Sequence, residues 1–310
     1  MTTIRDVPRR LLGRTGVEVS ALGVGGYHLG AMKSPRQAVR VVQEAVDAGL
    51  TFLDNAWEYH DGASEDIMGR ALLGRRTRAF LMSKVCSHGR GRATALRQLE
   101  ESLKRLRTDY LDLWQIHEVV YANDPERHFA KGGAVEALAQ AKREGKVRFV
   151  GFTGHKDPAI HLDMLSRGFP FDTCQMPLNC FDASFRSFEQ RVLPELARQG
   201  IAAIGMKSMG GEGDPVRKRV VSATEALRYA MSLPVATTVT GIDSLRVLRQ
   251  DLRIARAFRP LSAAERERLR RRCAEAAADG RFETFKVSMK HDGPVGREQH
   301  GFPPPDEMGA

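Results

Sequence analysis

Leu111-Asp112-Leu113-Trp114-Gln115-Ile116-His117, an amphipathic stretch over 133–144, and Val147-Arg148-Phe149-Val150-Gly151-Phe152-Thr153 form the passage that decides the fold. Each apolar run has the length of a strand buried on both faces, and the stretch between them has helical spacing. The passage therefore reads as a strand, a helix and a second strand laid parallel to the first. Gly145 stands just past the helical stretch, where a left-handed residue is needed.

Working outward, six more apolar runs repeat the pattern. Leu22–Gly25, Phe52–Asp54 and Phe80–Lys84 precede the passage; Thr173–Met176, Ile201–Met206 and Ala236–Thr240 follow it. Helical patterns are predicted near 34–48, 64–73, 92–106, 158–167, 186–199, 222–231 and 244–257. Eight such units within about 250 residues predict an α/β chain folded as a closed (β/α)8 TIM barrel. An open doubly wound sheet usually needs a glycine-rich phosphate loop after the first strand. Gly23-Val24-Gly25-Gly26 lacks that spacing, and no helical pattern follows it at once. Arg9–Leu12 and Val17–Ser20, with Gly13 and Gly16 between them, predict an N-terminal β-hairpin. The whole chain, 1–310, reads as one domain, with a barrel core at about 20–257 and an extension over 258–310. That extension holds one charged helix, then a Gly/Pro-rich tail from Gly293 that is either disordered or laid over the barrel mouth.

The composition excludes several classes. No 18-residue apolar run is present, so no membrane span is expected, and the first residues lack an apolar signal core. Cys86, Cys174, Cys180 and Cys273 show no C-x-x-C spacing, so neither a metal site nor an iron–sulfur cluster is expected, and the thiols read as buried in a reducing, cytoplasmic setting. The net charge of +10 does not gather into one stripe; the densest run, Arg266–Arg272, is interrupted by Glu267. It reads as a solvated helix face, and no nucleic-acid partner is expected.

A barrel places its chemistry at the carboxyl ends of its strands. Here Asp54, Lys84, His117 and Thr153 end their runs, Gln175 lies in the sixth, and Lys207 follows the seventh. Tyr59 lies five residues past Asp54. The segment Phe52-Leu53-Asp54-Asn55-Ala56-Trp57-Glu58-Tyr59 resembles the aspartate–tyrosine signature of the aldo-keto reductase superfamily. Ser83-Lys84 resembles its lysine strand, Asp112–His117 its histidine strand and Lys146–Thr153 its fifth strand, in matching order from about residue 9 to 257. The resemblance implies hydride transfer between a nicotinamide cofactor, NADP(H) or NAD(H), and a small-molecule carbonyl or alcohol. It implies Asp54, Tyr59, Lys84 and His117 as the catalytic residues. A free tyrosine, with pKa about 10, is a weak acid for this work. A nearby Lys84 ammonium is expected to lower that pKa, with Asp54 orienting Lys84 and His117 donating a hydrogen bond to the reacting oxygen.

The same resemblance implies cofactor contacts at Gly26, Tyr27, Asp54, Thr153, Gln175, Met206, Lys207 and Gly210, then at Gly241, Asp243, Ser244, Val247, Gln250 and Asp251. Thr153 and Gln175 are expected on the carboxamide; where the family usually has Ser-Asn, this chain has Thr153-Gly154-His155. Met206 falls at the ring-stacking position and Lys207 at the pyrophosphate, with the following glycines letting backbone amides approach phosphate. Asp243 replaces the cation expected on a 2′-phosphate and suits a ribose hydroxyl instead, while Arg246 or Arg249 offers another route to phosphate. The substrate is expected against Tyr27, Trp57, Tyr59 and His117, with His28, His60, Tyr121 and Phe181 on nearby loops. Two other readings share the fold: a cofactor-holding regulatory subunit, and a redox-neutral isomerase or lyase with retained cofactor. The oligomeric state is open.

Overall fold

The computed structural model describes residues 6–85, 91–289 and 291–292. Ten strands are present among the described residues. Arg9–Leu11 (β1) and Glu18–Ser20 (β2) pair antiparallel as the expected hairpin. The other eight are Leu22–Gly25 (β3), Phe52–Asp54 (β4), Phe80–Val85 (β5), Leu111–Ile116 (β6), Val147–Thr153 (β7), Thr173–Pro177 (β8), Ala202–Met206 (β9) and Thr237–Gly241 (β10). They close into one parallel barrel in the order β10-β3-β4-β5-β6-β7-β8-β9. The (β/α)8 expectation therefore holds.

Strand alternation explains the interior. Phe52 on β4, Phe80 and Met82 on β5, Leu113 on β6 and Ile204 on β9 form one buried cluster inside the barrel. Leu53, Leu81, Trp114 and Val150, one residue out of phase, join the larger cluster between barrel and helices. Successive side chains point to opposite faces, so the next inward positions beyond Phe52 and Met82 are Asp54 and Lys84. The hairpin closes the opposite end: Leu12 and Val19 are buried with the interior cluster. Arg10 donates to the Val235 and Met231 carbonyls at 2.9 and 2.7 Å.

The outer helices follow from their stripes and caps. In Pro35–Asp47 the Ser34 hydroxyl accepts from the Gln37 N–H, and Ala38, Val41, Val42, Ala45 and Val46 form the buried face. Four details differ from expectation. A five-residue helix, Gly26–Gly30, starts directly after β3. His117 lies one residue beyond β6 rather than within it. The stretch 186–199 divides into Phe188–Arg191 and Leu193–Gln199, with Pro194 in the first turn of the second piece; its missing N–H suits a helix start. The extension carries Ala263–Ala277, opened by a Ser262–Glu265 capping box, and a second short helix, Thr284–Val287. The tail from Gly293 and Cys86 lie outside the described residues.

The extension is fastened over the carboxyl ends of the strands by a buried charge cluster. Lys286 Nζ donates to Asp182 at 2.7 Å, Glu283 at 2.8 Å and the Phe185 carbonyl at 2.8 Å. Asn179, which follows β8, donates to the other Glu283 oxygen at 2.9 Å. Lys156, just past β7, donates to Asp292 and the Ser288 carbonyl, both at 2.7 Å. The segment up to Asp292 is thus tied to the barrel mouth.

Candidate active site

Lys84 is buried where the inward face of β5 reaches the rim. Its Nζ donates to Asp54 Oδ1 at 2.6 Å, to the Asn55 carbonyl at 2.8 Å and to the Tyr59 hydroxyl at 3.4 Å. Gln175 Nε2 donates to Asp54 Oδ2 at 2.6 Å, so both carboxylate oxygens are engaged. The carboxylate, the ammonium and the phenol come from β4, β5 and the loop after β4, and only barrel closure brings Gln175 to them. His117 packs edge-on against the Tyr59 ring, centroids 5.6 Å apart. All four expected catalytic residues therefore meet in one cluster.

The electrostatics differ from the expected depression of the tyrosine. Tyr59 is pushed well above the ordinary tyrosine value, first by burial and then by the charges of Asp54, Glu58 and Glu118. As the site stands, Tyr59 is a phenol and a proton donor. His117 is lowered, chiefly by burial, with Glu58 acting in the opposite sense. At neutral pH it is a neutral imidazole.

Glu58 is a close neighbour of the cluster that sequence reasoning passed over: its Oε1 lies 2.6 Å from His117 Nδ1. The signal was its position directly before Tyr59. Trp57 is tied to the cluster by its backbone, whose N–H donates to the Lys84 carbonyl at 3.2 Å. Its indole N–H donates to Glu101 at 2.7 Å and Arg105 lies over its ring, so its side chain turns to the outer helix Arg92–Leu106. Tyr27 is 55% exposed and meets the Tyr59 ring edge-on at 5.4 Å, as a wall of the mouth. His60 Nε2 meets the Tyr27 carbonyl at 2.8 Å, and a carbonyl accepts only, so Nε2 carries the proton.

The cofactor candidates divide in the same way. Thr153 and Gln175 are adjacent in register at the ends of β7 and β8. Gln175 Oε1 is buried without a hydrogen-bond partner, an acceptor suited to a carboxamide N–H. Gly26 lies against β4, where a Cβ would fall 2.7 Å from the Asp54 carbonyl oxygen. His28 covers Gly241, where a Cβ would fall 2.4 Å from its ring. Met206 ends β9 partly buried. Lys207 follows with φ of +53°, partly buried, its Nζ 5.2 Å from the centre of the Phe285 ring. Burial lowers its pKa, and Lys84 adds to that. Gly210 packs against the extension: a Cβ there would lie 2.5 Å from the Phe282 carbonyl oxygen.

At the end of β10, Ser244 caps the helix Leu245–Arg256, accepting from the Val247 N–H and donating to Asp243 Oδ1 at 2.9 Å. Asp243 is exposed and Gln250 half-exposed. Asp251 is turned inward, 1% exposed, with the Thr240 hydroxyl donating to it at 3.3 Å. It is therefore no surface contact. Arg249 is held by Glu44 at 2.7 and 3.1 Å, while Arg246 is exposed.

The aldo/keto reductase family model matches residues 21–213, from β3 through Lys207 and the glycines after it. The chain belongs to the aldo/keto reductase family. It is 29% identical over 194 residues to the aldo-keto reductase YhdN of Bacillus subtilis, covering 58% of this chain and 55% of that protein. The chain thus spans about half the length of that relative. Among solved structures, the holo form of aldo-keto reductase AKR11C1 from Bacillus halodurans shares the fold with a TM-score of 0.74 at 24% identity, covering 89% of this chain and 99% of that one. An aldo-keto reductase from Klebsiella pneumoniae in complex with NADPH does so with a TM-score of 0.71 at 23% identity, covering 87% and 95%. No helix among the described residues is long and apolar enough to cross a membrane.

Proposed function

We propose that this protein is a nicotinamide-dependent oxidoreductase that interconverts a small-molecule carbonyl and its alcohol. The observation that carries the reading is the buried Lys84 ammonium, bound to Asp54 at 2.6 Å and reaching the Tyr59 hydroxyl at 3.4 Å. When bound, the nicotinamide supplies or accepts the hydride. The side chains do the rest. Tyr59 gives its phenolic proton to the carbonyl oxygen. Lys84 stabilises the phenolate left behind, and Asp54 keeps Lys84 in place. Thr153 and Gln175 would hold the carboxamide, Met206 would cover the ring, and Lys207 would face the phosphates.

The fold neighbour in complex with NADPH favours the phosphorylated cofactor, whereas exposed Asp243 opposes a 2′-phosphate and leaves Arg246 to receive it. Titration with NADPH and NADH, followed by fluorescence, decides between them. Tyr59→Phe tests the proton role. It is expected to lower carbonyl reduction by about 10²–10⁴-fold while leaving cofactor affinity unchanged. Near-normal turnover in that variant refutes the role.

A further inference from the structure

Cys180 and Cys273 stand 93 positions apart in the chain, yet their Sγ atoms are 3.7 Å apart and both side chains are buried. Cys180 follows β8 directly after Asn179, and Cys273 lies in the extension's helix Ala263–Ala277. A disulfide needs about 2.05 Å between its sulfurs, so the two have about 1.7 Å left to close. A partial rotation about a Cα–Cβ bond moves a sulfur that far. We propose that Cys180 and Cys273 form a reversible oxidation site, at which a hydroperoxide converts the two thiols into a disulfide that fastens the extension covalently to the barrel.

Their surroundings assign the roles. Cys273 is held below the ordinary thiol value, first by the hydrogen bond with Cys180 and, against burial, by the Arg272 guanidinium. Glu225, which pairs with Arg272 at 2.8 Å, opposes the thiolate. Cys180 is held well above the ordinary value by the same hydrogen bond and by burial. The thiolate is the nucleophile, so Cys273 reacts first. With hydrogen peroxide, its sulfur attacks one oxygen, the O–O bond breaks and a sulfenic acid forms. The departing hydroxide takes the proton that Cys273 gave up and leaves as water. The Cys180 sulfur then attacks the Cys273 sulfur, the S–O bond breaks, and a second water carries off the Cys180 proton. Two thiols and one peroxide thus give one disulfide and two waters.

Access comes through the helix itself. Leu269, Cys273 and Ala277 are its buried positions, a single narrow row. Arg270 anchors it to Glu189 and, at 2.6 Å, to the Tyr229 hydroxyl. A helix with so little apolar burial opens locally at less cost than unfolding the chain, and opening bares the central residue of the row, Cys273. Once formed, the disulfide ties this helix to the neighbour of Asn179, which already holds Glu283 at 2.9 Å.

The full chain, purified with reductant and then freed of it, is treated with a small molar excess of hydrogen peroxide. Remaining thiols are alkylated, and the digest is read by mass spectrometry. A peptide pair joining Cys180 to Cys273 is expected, lost on adding dithiothreitol. Tm is expected to rise by about 3–6 °C on oxidation and to return on reduction. Cys180→Ser is expected to stop at a sulfenic acid on Cys273, trapped by dimedone, and Cys174→Ser to cross-link like the unaltered protein. Because the cross-link and its reversal are read in the unaltered chain, the test stands even where a serine variant misfolds. Thiols that stay reduced, a sulfinic acid at Cys273, cross-links through Cys86 or Cys174 instead, or a Cys180–Cys273 bond formed only in denaturant each overturn the proposal. A cross-link that leaves Tm unchanged overturns the fastening role.

Discussion

Replacing Asp251 with asparagine is expected to stabilise the protein, and to do so increasingly as pH rises. Asp251 lies behind β10 with one oxygen facing the Thr240 hydroxyl and the other without a partner. Burial, with a smaller push from Asp243, raises its pKa from 3.8 to about 7. In the unfolded chain the carboxyl ionises freely near 4. Between those two values the folded state binds the additional proton, so stability falls as pH rises from about 4 and levels off above about 7. At about 1.36 kcal/mol per tenfold change in proton affinity, the penalty is about 1 kcal/mol at pH 4.5 and about 4 kcal/mol at pH 8. Asparagine keeps the shape and removes the charge. The stability difference between Asp251→Asn and the unaltered protein is therefore expected to grow by about 3 kcal/mol between pH 4.5 and 8. With an unfolding entropy of about 2.1 cal/mol/K per residue, that increment is about 5 °C in Tm for this chain. Thermal melts of both proteins across that range measure it. A Tm difference that stays constant with pH refutes the reasoning, because the benefit would then come from packing and not from a buried charge.

Lys286→Met leaves the carboxylates of Asp182 and Glu283 buried without their cation. A loss of about 3–5 kcal/mol is expected, seen as a lower Tm or as new proteolytic cleavage in 279–292; an unchanged melt and an unchanged digestion pattern contradict the clamp. Asp243→Ser removes the exposed carboxylate beside the helix cap. It is expected to tighten NADPH several-fold with little effect on NADH, and fluorescence titration with equal changes for both would remove Asp243 as a discriminator.

The barrel was legible in the sequence because the physical signals for it are local. Runs of three to seven residues, helical spacing between them and caps such as Ser34-Pro35 each act within one element, and eight repeats leave few topologies. Asp54, Lys84 and His117 were legible for a related reason. A charged group at the end of an apolar run has no place inside a barrel except its rim. Asp251 and Trp57 show the limit of such reasoning. Both occur in stretches matching a family pattern, yet helix phase turns Asp251 inward behind Thr240, and Arg105 and Glu101 draw Trp57 outward.

Sequence alone thus determined the order of elements and the parallel closure, since both follow from short-range pattern and strand period, and the resemblance to the aldo-keto reductases singled out the four clustered residues. Tertiary structure alone decided what those residues feel. Gln175 reaches Asp54 across 121 positions of chain, the extension is fastened over the mouth by Lys286 and Lys156, and Glu58 meets His117. Protonation depends on burial and on charges within a few ångströms. Those distances are set by closing the barrel, and no spacing along the chain encodes them.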